Sequence, residues 1–505
     1  MDAVIFEKVK DQGMNPETVA QQIENFKNGF PFLKILGPAT PDHGIKVLSS
    51  VELAHFLAIY PQKAATKEVV KFVPASGAAS RMFKDLFSFL EGDGDLEKSN
   101  FTKKFIQNLE KFAFYADLDL YLQSQGSGIA ACLASGDYKK IVAGLLSEEG
   151  LGYGSLPKGL LRFHKYPGEN RTPAHEHLIE GIQYAVGKGN TVKIHFTVSP
   201  EHEEKFKAEI ESVLPVLKNE TGLEFEISYS QQKKSTDTIA VTMDNVPFEE
   251  EDGSLLFRPA GHGALLENLN DIKADLIFIK NIDNVVPDRL KSTTKEYKMA
   301  IGGLLLEAQE RIFDAIRGLD QEITHASVAQ AAAVYHEVLG GKIPTTESGQ
   351  SLEELARYIK DKLNRPIRVC GMVKNTGEPG GGPFWIEEKD GSQSLQILET
   401  AQIDLNDPSS KAQMMASTHF NPVDLVCGMK NYVGAPFDLN EFTNPNAGFV
   451  VEKSKNGKTL LAYELPGLWN GSMANWISIF VEIPLGIFNP VKTVNDLLKP
   501  AHQPS

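Results

Sequence analysis

Cysteine is scarce: Cys132, Cys370 and Cys427 are the only three in 505 residues, and no two stand in a C-x-x-C pair. That spacing excludes a disulfide-stapled scaffold and offers neither a zinc ribbon nor a dithiol redox motif. All three read as small buried apolar side chains in a reducing compartment. Basic charge is also short, with 51 Lys and Arg against 66 Asp and Glu and a net of −15. Such a surface repels nucleic acid and anionic membranes, so neither is expected as a partner. Long hydrophobic runs are missing as well. The most apolar late stretch, residues 476–488, is interrupted by Glu482 and Pro484 and cannot form a spanning helix. The first residues, Met-Asp-Ala-Val-Ile-Phe-Glu-Lys, have neither the basic start nor the apolar run of a secretory signal, so the expected location is cytoplasmic.

Ordinary globular values fill the rest: 42% of residues are hydrophobic and 23% charged, enough for a sizeable core. At roughly 150 residues per domain, several compact units are expected. Residues 1–66 carry helical spacing and read as a helical cap. The run Val69-Val70-Lys71-Phe72-Val73 reads as a buried strand, 74–80 as a small-residue turn, and helical spacing resumes at Arg81. Thr172-Pro173 is an N-cap followed by proline at the first helical position, which predicts a helix over 173–187. Strands over 192–198, 225–229 and 276–282 then alternate with helices over 201–217 and 264–271. This alternation predicts an α/β fold with a mostly parallel, doubly wound, Rossmann-like sheet. A nucleotide-binding core over 67–289 with a helical insertion at 91–150, a helical insertion over 290–364, and a C-terminal α+β region over 365–505 completing the site follow in that order.

Several segments carry chemistry. No G-x-x-x-x-G-K-[ST], G-x-G-x-x-G or G-x-S-x-G occurs. The loop at 74–82 still places Ala75, Ser76, Gly77 and Ala78 at a strand-to-helix turn, where backbone N–H groups can approach a phosphate and Arg81 adds a fixed positive charge. Asp283 ends a predicted parallel strand, the position where such sheets hold ligands, and its carboxylate suits Mg²⁺. Gly261 and Gly263 flank His262 and permit close backbone approach to a base or ribose. Trp385, after a glycine-rich loop at 377–383, reads as a sugar platform. Asn470, within Trp469-Asn470-Gly471-Ser472, offers an amide for hydroxyl recognition. His175-Glu176-His177 is not H-E-x-x-H, and residues two apart on a helix diverge, so it reads as a structural polar patch.

Taken in order, these segments resemble a known family. Leu156-Pro157-Lys158-Gly159-Leu160, Arg258-Pro259-Ala260-Gly261-His262-Gly263, Asn281-Ile282-Asp283-Asn284, Leu398-Glu399-Thr400 and Phe488-Asn489-Pro490-Val491-Lys492-Thr493 are similar to motifs of the UDP-sugar pyrophosphorylases, within the nucleotide-sugar nucleotidyltransferase superfamily. The islands run from about residue 66 to about 500, and the last is the most specific. Ala260 and Ala264 depart from the family's Gly and Asp. The resemblance implies a divergent branch that joins a nucleoside triphosphate, expected to be UTP, to a sugar 1-phosphate in a Mg²⁺-dependent reaction releasing pyrophosphate. It places Lys158 and Lys492 on substrate phosphates, the Gly261–Gly263 turn and Gln231 or Gln232 on the nucleoside, and Glu399 on the sugar. The alternatives are a glycosyltransferase of the same sheet type and a non-catalytic nucleotide or sugar-phosphate binding protein.

Overall fold

The structure, a computed structural model, describes residues 3–77, 79–341, 351–377 and 380–504. The chain divides into two compact units that interleave along the sequence: residues 1–63, 232–277 and 300–484 form the first, and 64–231, 278–299 and 485–505 the second. The consecutive domains expected from the sequence are thus replaced by units that the chain enters more than once. The last 21 residues, read as part of the C-terminal region, belong to the second unit with the expected core.

The second unit is built on parallel strands. Val69–Pro74 pairs in parallel with Thr191–Thr197, which pairs in parallel with Glu224–Ser230. The strand Leu276–Lys280 lies beside Val69–Pro74, and the Ile282 N–H donates to the Pro74 carbonyl, so the ends of these two strands are adjacent. Helix Pro173–Tyr184 begins as expected, with the Thr172 side chain accepting from the His175 N–H and proline at the first turn. It buries Ala174 and Leu178 with Phe206 and Ile210 of helix Glu203–Thr221 against Val192, Ile194 and Phe196 of the sheet.

The helical insertion has a core of its own. Helices Lys84–Glu91, Asn100–Gln107, Tyr115–Ser124, Ile129–Ser135 and Tyr138–Leu146 enclose Leu86, Phe105, Leu118 and Leu145. Phe112 stacks on Phe114 with centroids 5.0 Å apart. Val491, Val494 and Leu497 of the C-terminal strap bury in this same core. Burial of such side chains contributes roughly 1.5–3 kcal/mol each, so the insertion holds the strap that carries Lys492.

In the first unit, Ile367–Lys374 pairs in parallel with Ile477–Glu482 and antiparallel with Asp424–Gly428. An antiparallel three-stranded sheet is formed by Ile35–Pro38, Gly382–Glu387 and Gln393–Leu398, and a four-stranded one by Phe257–Arg258, Thr238–Val241, Lys458–Glu464 and Phe449–Lys455. Helices Ala3–Asp11 and Pro16–Asn28 cover this last sheet through Val9, Val19, Ile23 and Phe26. Helices His325–Leu339 and Leu352–Leu363 fall where helical spacing predicts them. Among the described residues, no helix is long and apolar enough to cross a membrane. The architecture is mixed α/β with parallel strands at its centre.

Candidate active site

In the second unit, Lys158, Asp283 and Lys492 converge. Asp283 follows the strand Leu276–Lys280 and is 6% exposed. Its Oδ2 accepts from Lys158 Nζ at 2.8 Å and from Lys492 Nζ at 3.1 Å. Burial alone would raise the Asp283 carboxyl, but the two ammonium groups override it and hold the group below the usual carboxylate range. Two cations against one anion leave the triad with a formal excess of one positive charge, the sign that attracts phosphate.

Backbone contacts fix each member. Lys158 Nζ also donates to the Val491 carbonyl at 2.7 Å, and the Val491 N–H returns a bond to the Asp283 carbonyl at 3.1 Å. The Asn489 N–H donates to Asn284 Oδ1 at 2.9 Å, and the N–H groups of Lys492 and Thr493 share Asp496 Oδ2 at 2.9 and 2.7 Å. The backbone beside Lys492 is therefore fixed, while its side chain remains 61% exposed and available to a ligand. Lys158 is brought beside the small-residue loop, its N–H reaching the Gly77 carbonyl at 3.5 Å.

The other residues expected here divide. Ser76, Gly77 and Arg81 are exposed, and open space surrounds Gly77. Ala75 is buried and its N–H donates to the Thr197 carbonyl at 2.9 Å, so it is a strand-end residue that offers no N–H to a phosphate. Ala78 lies outside the described residues. Gln231 is exposed at the end of strand Glu224–Ser230, its amide on Glu203 at 2.9 Å.

Beneath the triad is a network that sequence reasoning missed. Fully buried Glu180 accepts from Lys71 at 2.9 Å and Lys280 at 2.7 Å, and His177 Nε2 donates to the Ile282 carbonyl, next to Asp283. Burial pushes the Lys71 ammonium down to about 7 even with Glu180 beside it. Glu176, on the same helix, binds His164 at 2.7 Å, Tyr166 at 2.9 Å and the Lys291 ammonium. His164 Nε2 meets His502 Nδ1 at 3.0 Å, which anchors the C-terminal strap. The signal was present: a lysine in the middle of an apolar strand, and another at the end of one, each require a buried carboxylate.

A second constellation forms in the first unit. The His262 ring stacks on Trp469 at 4.2 Å with planes 10° apart. The Leu468 N–H donates to His262 Nδ1 at 2.9 Å, which leaves the proton on Nε2, 3.7 Å from Glu399 Oε1. The same Oε1 accepts from the Asn470 amide. The His262 imidazole facing it is the main reason that the Glu399 carboxyl sits below its usual range. His262, Trp469 and Glu399 thus form a half-buried surface of ring faces and carboxylate, suited to hydroxyl groups and planar rings, whereas Asn470, 2% exposed, presents no amide to a ligand and instead holds the Glu399 carboxylate in place.

The glycines around His262 serve packing. A Cβ on Gly263 would meet the Pro466 carbonyl oxygen at 2.1 Å, and Gly261 sits at φ +77° with a Cβ path running 2.9 Å from the Glu464 carboxylate. The close approach anticipated toward a nucleobase is, at Gly263, an approach to the chain's own backbone. Trp385 also departs from expectation. It is 3% exposed, its Nε1 donates to the His43 carbonyl at 3.2 Å, and its ring packs on His43, so it presents no face to a ligand. Of the glycine loop before it, residues 378 and 379 lie outside the described residues.

Among the described residues, no group of three or more His, Cys, Asp and Glu side chains converges to hold a metal ion. Asp283 supplies one carboxylate, flanked by two cations. That donor set does not by itself fit a resident metal ion, and a metal held at Asp283 would need further ligands from outside the protein.

No curated protein matches the chain. Among solved structures it is similar to the UDP-glucose pyrophosphorylase of Leishmania major, with 13% identity, 98% of this chain and 77% of that one covered, and a TM-score of 0.44. The corresponding values are 12%, 98%, 77% and 0.42 for a UDP-glucose phosphorylase of Trypanosoma brucei. For a UDP-N-acetylglucosamine pyrophosphorylase of Entamoeba histolytica they are 11%, 89%, 83% and 0.43. A single family model spans nearly the whole chain, residues 3–503, and the protein belongs to that family, DUF4301, described as a domain of unknown function.

Proposed function

We propose that this protein is a nucleotidyltransferase that joins a nucleoside triphosphate, UTP in the first instance, to a sugar 1-phosphate and releases pyrophosphate in the cytoplasm. The observation that carries the reading is the convergence of Lys158, Asp283 and Lys492, from segments 125 and 209 residues apart, on one buried carboxylate oxygen.

In this reaction a phosphate oxygen of the sugar 1-phosphate attacks the α-phosphorus of the triphosphate. A P–O bond forms there as the bond to the β-phosphate bridging oxygen breaks, and pyrophosphate leaves with that electron pair. No side-chain nucleophile is needed. Charge neutralisation and positioning supply the catalysis. Exposed Lys492 meets the phosphate of the incoming sugar phosphate, while Lys158, 13% exposed and locked to Asp283 and the Val491 carbonyl, holds a fixed positive charge behind it. Where Mg²⁺ is bound, Asp283 would be the protein carboxylate that holds it, and the ion would supply charge neutralisation on the triphosphate. Ser76, Gly77 and Arg81 form the exposed loop beside Lys158 that receives the triphosphate. Glu399, held in place by the buried Asn470 amide, recognises hydroxyl groups, and His262 with Trp469 a ring.

The test is to incubate the purified chain with Mg²⁺, each nucleoside triphosphate and a panel of sugar 1-phosphates while following pyrophosphate. Release with at least one pair supports the reading. No release with any pair, together with a nucleotide-dependent rise in melting temperature, identifies a binding protein instead.

A further inference from the structure

Among the described residues Arg368 is the largest fully buried side chain, at 0% exposure, on the strand Ile367–Lys374 of the first unit. Among the described residues it has no carboxylate partner. Its Nε donates to Ser478 Oγ at 2.8 Å, and its Nη1 donates to the Trp469 carbonyl at 2.5 Å and lies 3.4 Å from Met473 Sδ. Nη2 has no hydrogen-bond partner. Across the sheet it faces Cys427, with Cys370 two residues along the same face.

A guanidinium cannot shed its proton, and a buried charge without a counter-ion lowers stability. An apolar side chain of similar volume would pack here at no such loss. What the arginine adds is a tie between the sheet, through Ser478, and the backbone of the segment carrying Trp469 and Asn470.

We infer that Arg368 is a positioning residue: it pulls the Trp469 carbonyl inward and so sets the ring of Trp469 against His262 and the amide of Asn470 against Glu399. As a statement about ligand affinity this rests on the functional reading above; as a statement about the turn it does not.

Two measurements separate the levels. The fluorescence contributed by Trp469 is the difference between Arg368→Met and Arg368→Met/Trp469→Phe, set against the difference between the parent and Trp469→Phe. Release of the indole from the imidazole brightens it and moves its emission to longer wavelength in the Arg368→Met chain, whose melting temperature stays equal to or above that of the parent. In the enzyme assay, KM for the sugar phosphate rises on the order of tenfold while kcat changes less. Arg368→Lys, which keeps the charge but reaches one of the two partners, gives a smaller change of the same kind. An unchanged Trp469 signal in both variants overturns the proposal, as does a lowered melting temperature with unchanged KM. A shifted Trp469 signal in a chain that releases no pyrophosphate with any substrate leaves the positioning role standing and removes the functional reading alone.

Discussion

Each unit centres a candidate site on one carboxylate held below its usual range, and the two are held in different ways. Asp283 is buried between two ammonium groups that outweigh it in charge, whereas Glu399 is half-exposed and held by one imidazole and one amide. The first arrangement leaves a surplus of positive charge for an anion. The second leaves a carboxylate with accepting capacity next to a ring stack, and an acceptor of that kind repels phosphate and pairs with hydroxyl groups. The comparison teaches that a chain of net charge −15 can still concentrate cations at one carboxylate while a second carboxylate, set beside a ring stack, carries no such excess.

The sharpest way to break that contrast is at Asp283 and Lys492. Asp283→Ala leaves the largely buried Lys158 ammonium without its counter-ion, and Lys492→Ala removes the exposed ammonium proposed to meet phosphate. Each lowers turnover by about 10²–10³-fold in the pyrophosphate assay, the scale seen when one preorganised electrostatic contact is lost. Lys492→Ala keeps the melting temperature, since its side chain is largely exposed. Unchanged turnover in both variants removes the second-unit triad from the mechanism.

A smaller effect is expected on the other side. Glu399→Gln keeps shape and one acceptor but loses the charge that faces His262. KM for the sugar phosphate rises about tenfold or somewhat more, the loss of a charged hydrogen bond, while KM for the triphosphate is unchanged. Equal rises in both constants would mean that the two carboxylates do not divide the substrates as argued.

Much of this was readable from sequence, and the limits have physical causes. Local signals were sound: the apolar run at 69–73 became the strand Val69–Pro74, and Thr172-Pro173 opened the helix Pro173–Tyr184. Motif residues Asp283, Lys492, Glu399 and Asn470 were legible as candidates, but their pairing was not, because Lys492 and Asp283 are 209 residues apart and Asn470 and Glu399 are 71 apart. Periodicity reports which face of an element is buried and says nothing about which distant segment covers it. The interleaving of the two units was hidden for the same reason. Glu180 was overlooked because a helix glutamate reads as solvated; the signals for it were Lys71, stranded in an apolar strand, and Lys280 at the end of another, which indicated that a carboxylate had to lie opposite.

Acid provides a subtler probe of the second unit alone. Burial pushes the His502 imidazole down to about 3 from an ordinary 6.5, with His164 beside it adding to the effect. The folded chain therefore keeps this ring neutral where the unfolded chain takes up a proton. The contribution to stability is complete above about pH 6.5 and is lost progressively as pH falls toward 3. Urea melts at pH 7 and pH 5 show the loss in the parent chain, and His502→Asn flattens the difference between the two. An equal pH dependence in the variant assigns the acid sensitivity to other groups. Because the strap that His502 anchors also carries Lys492, turnover in the parent declines over the same window before the melt itself.

The smallest expected effect is at Trp385, and it tests whether ring recognition belongs to the His262–Trp469 stack. Sequence placed Trp385 after a glycine loop, where an indole would suit a sugar face. In the fold its ring lies in the antiparallel sheet of Gly382–Glu387, with the Nε1–H on the His43 carbonyl and the ring edge against Gly44 and Gly340. Trp385→Phe removes that hydrogen bond and part of the packing, lowering stability by about 1–3 kcal/mol in a denaturant melt, and leaves both KM values within experimental error. Trp469→Phe does the reverse: it changes KM for one substrate with little loss of stability, since its ring is partly exposed. If Trp385→Phe alone raised KM, the stack would lose its role and ring recognition would return to the glycine loop.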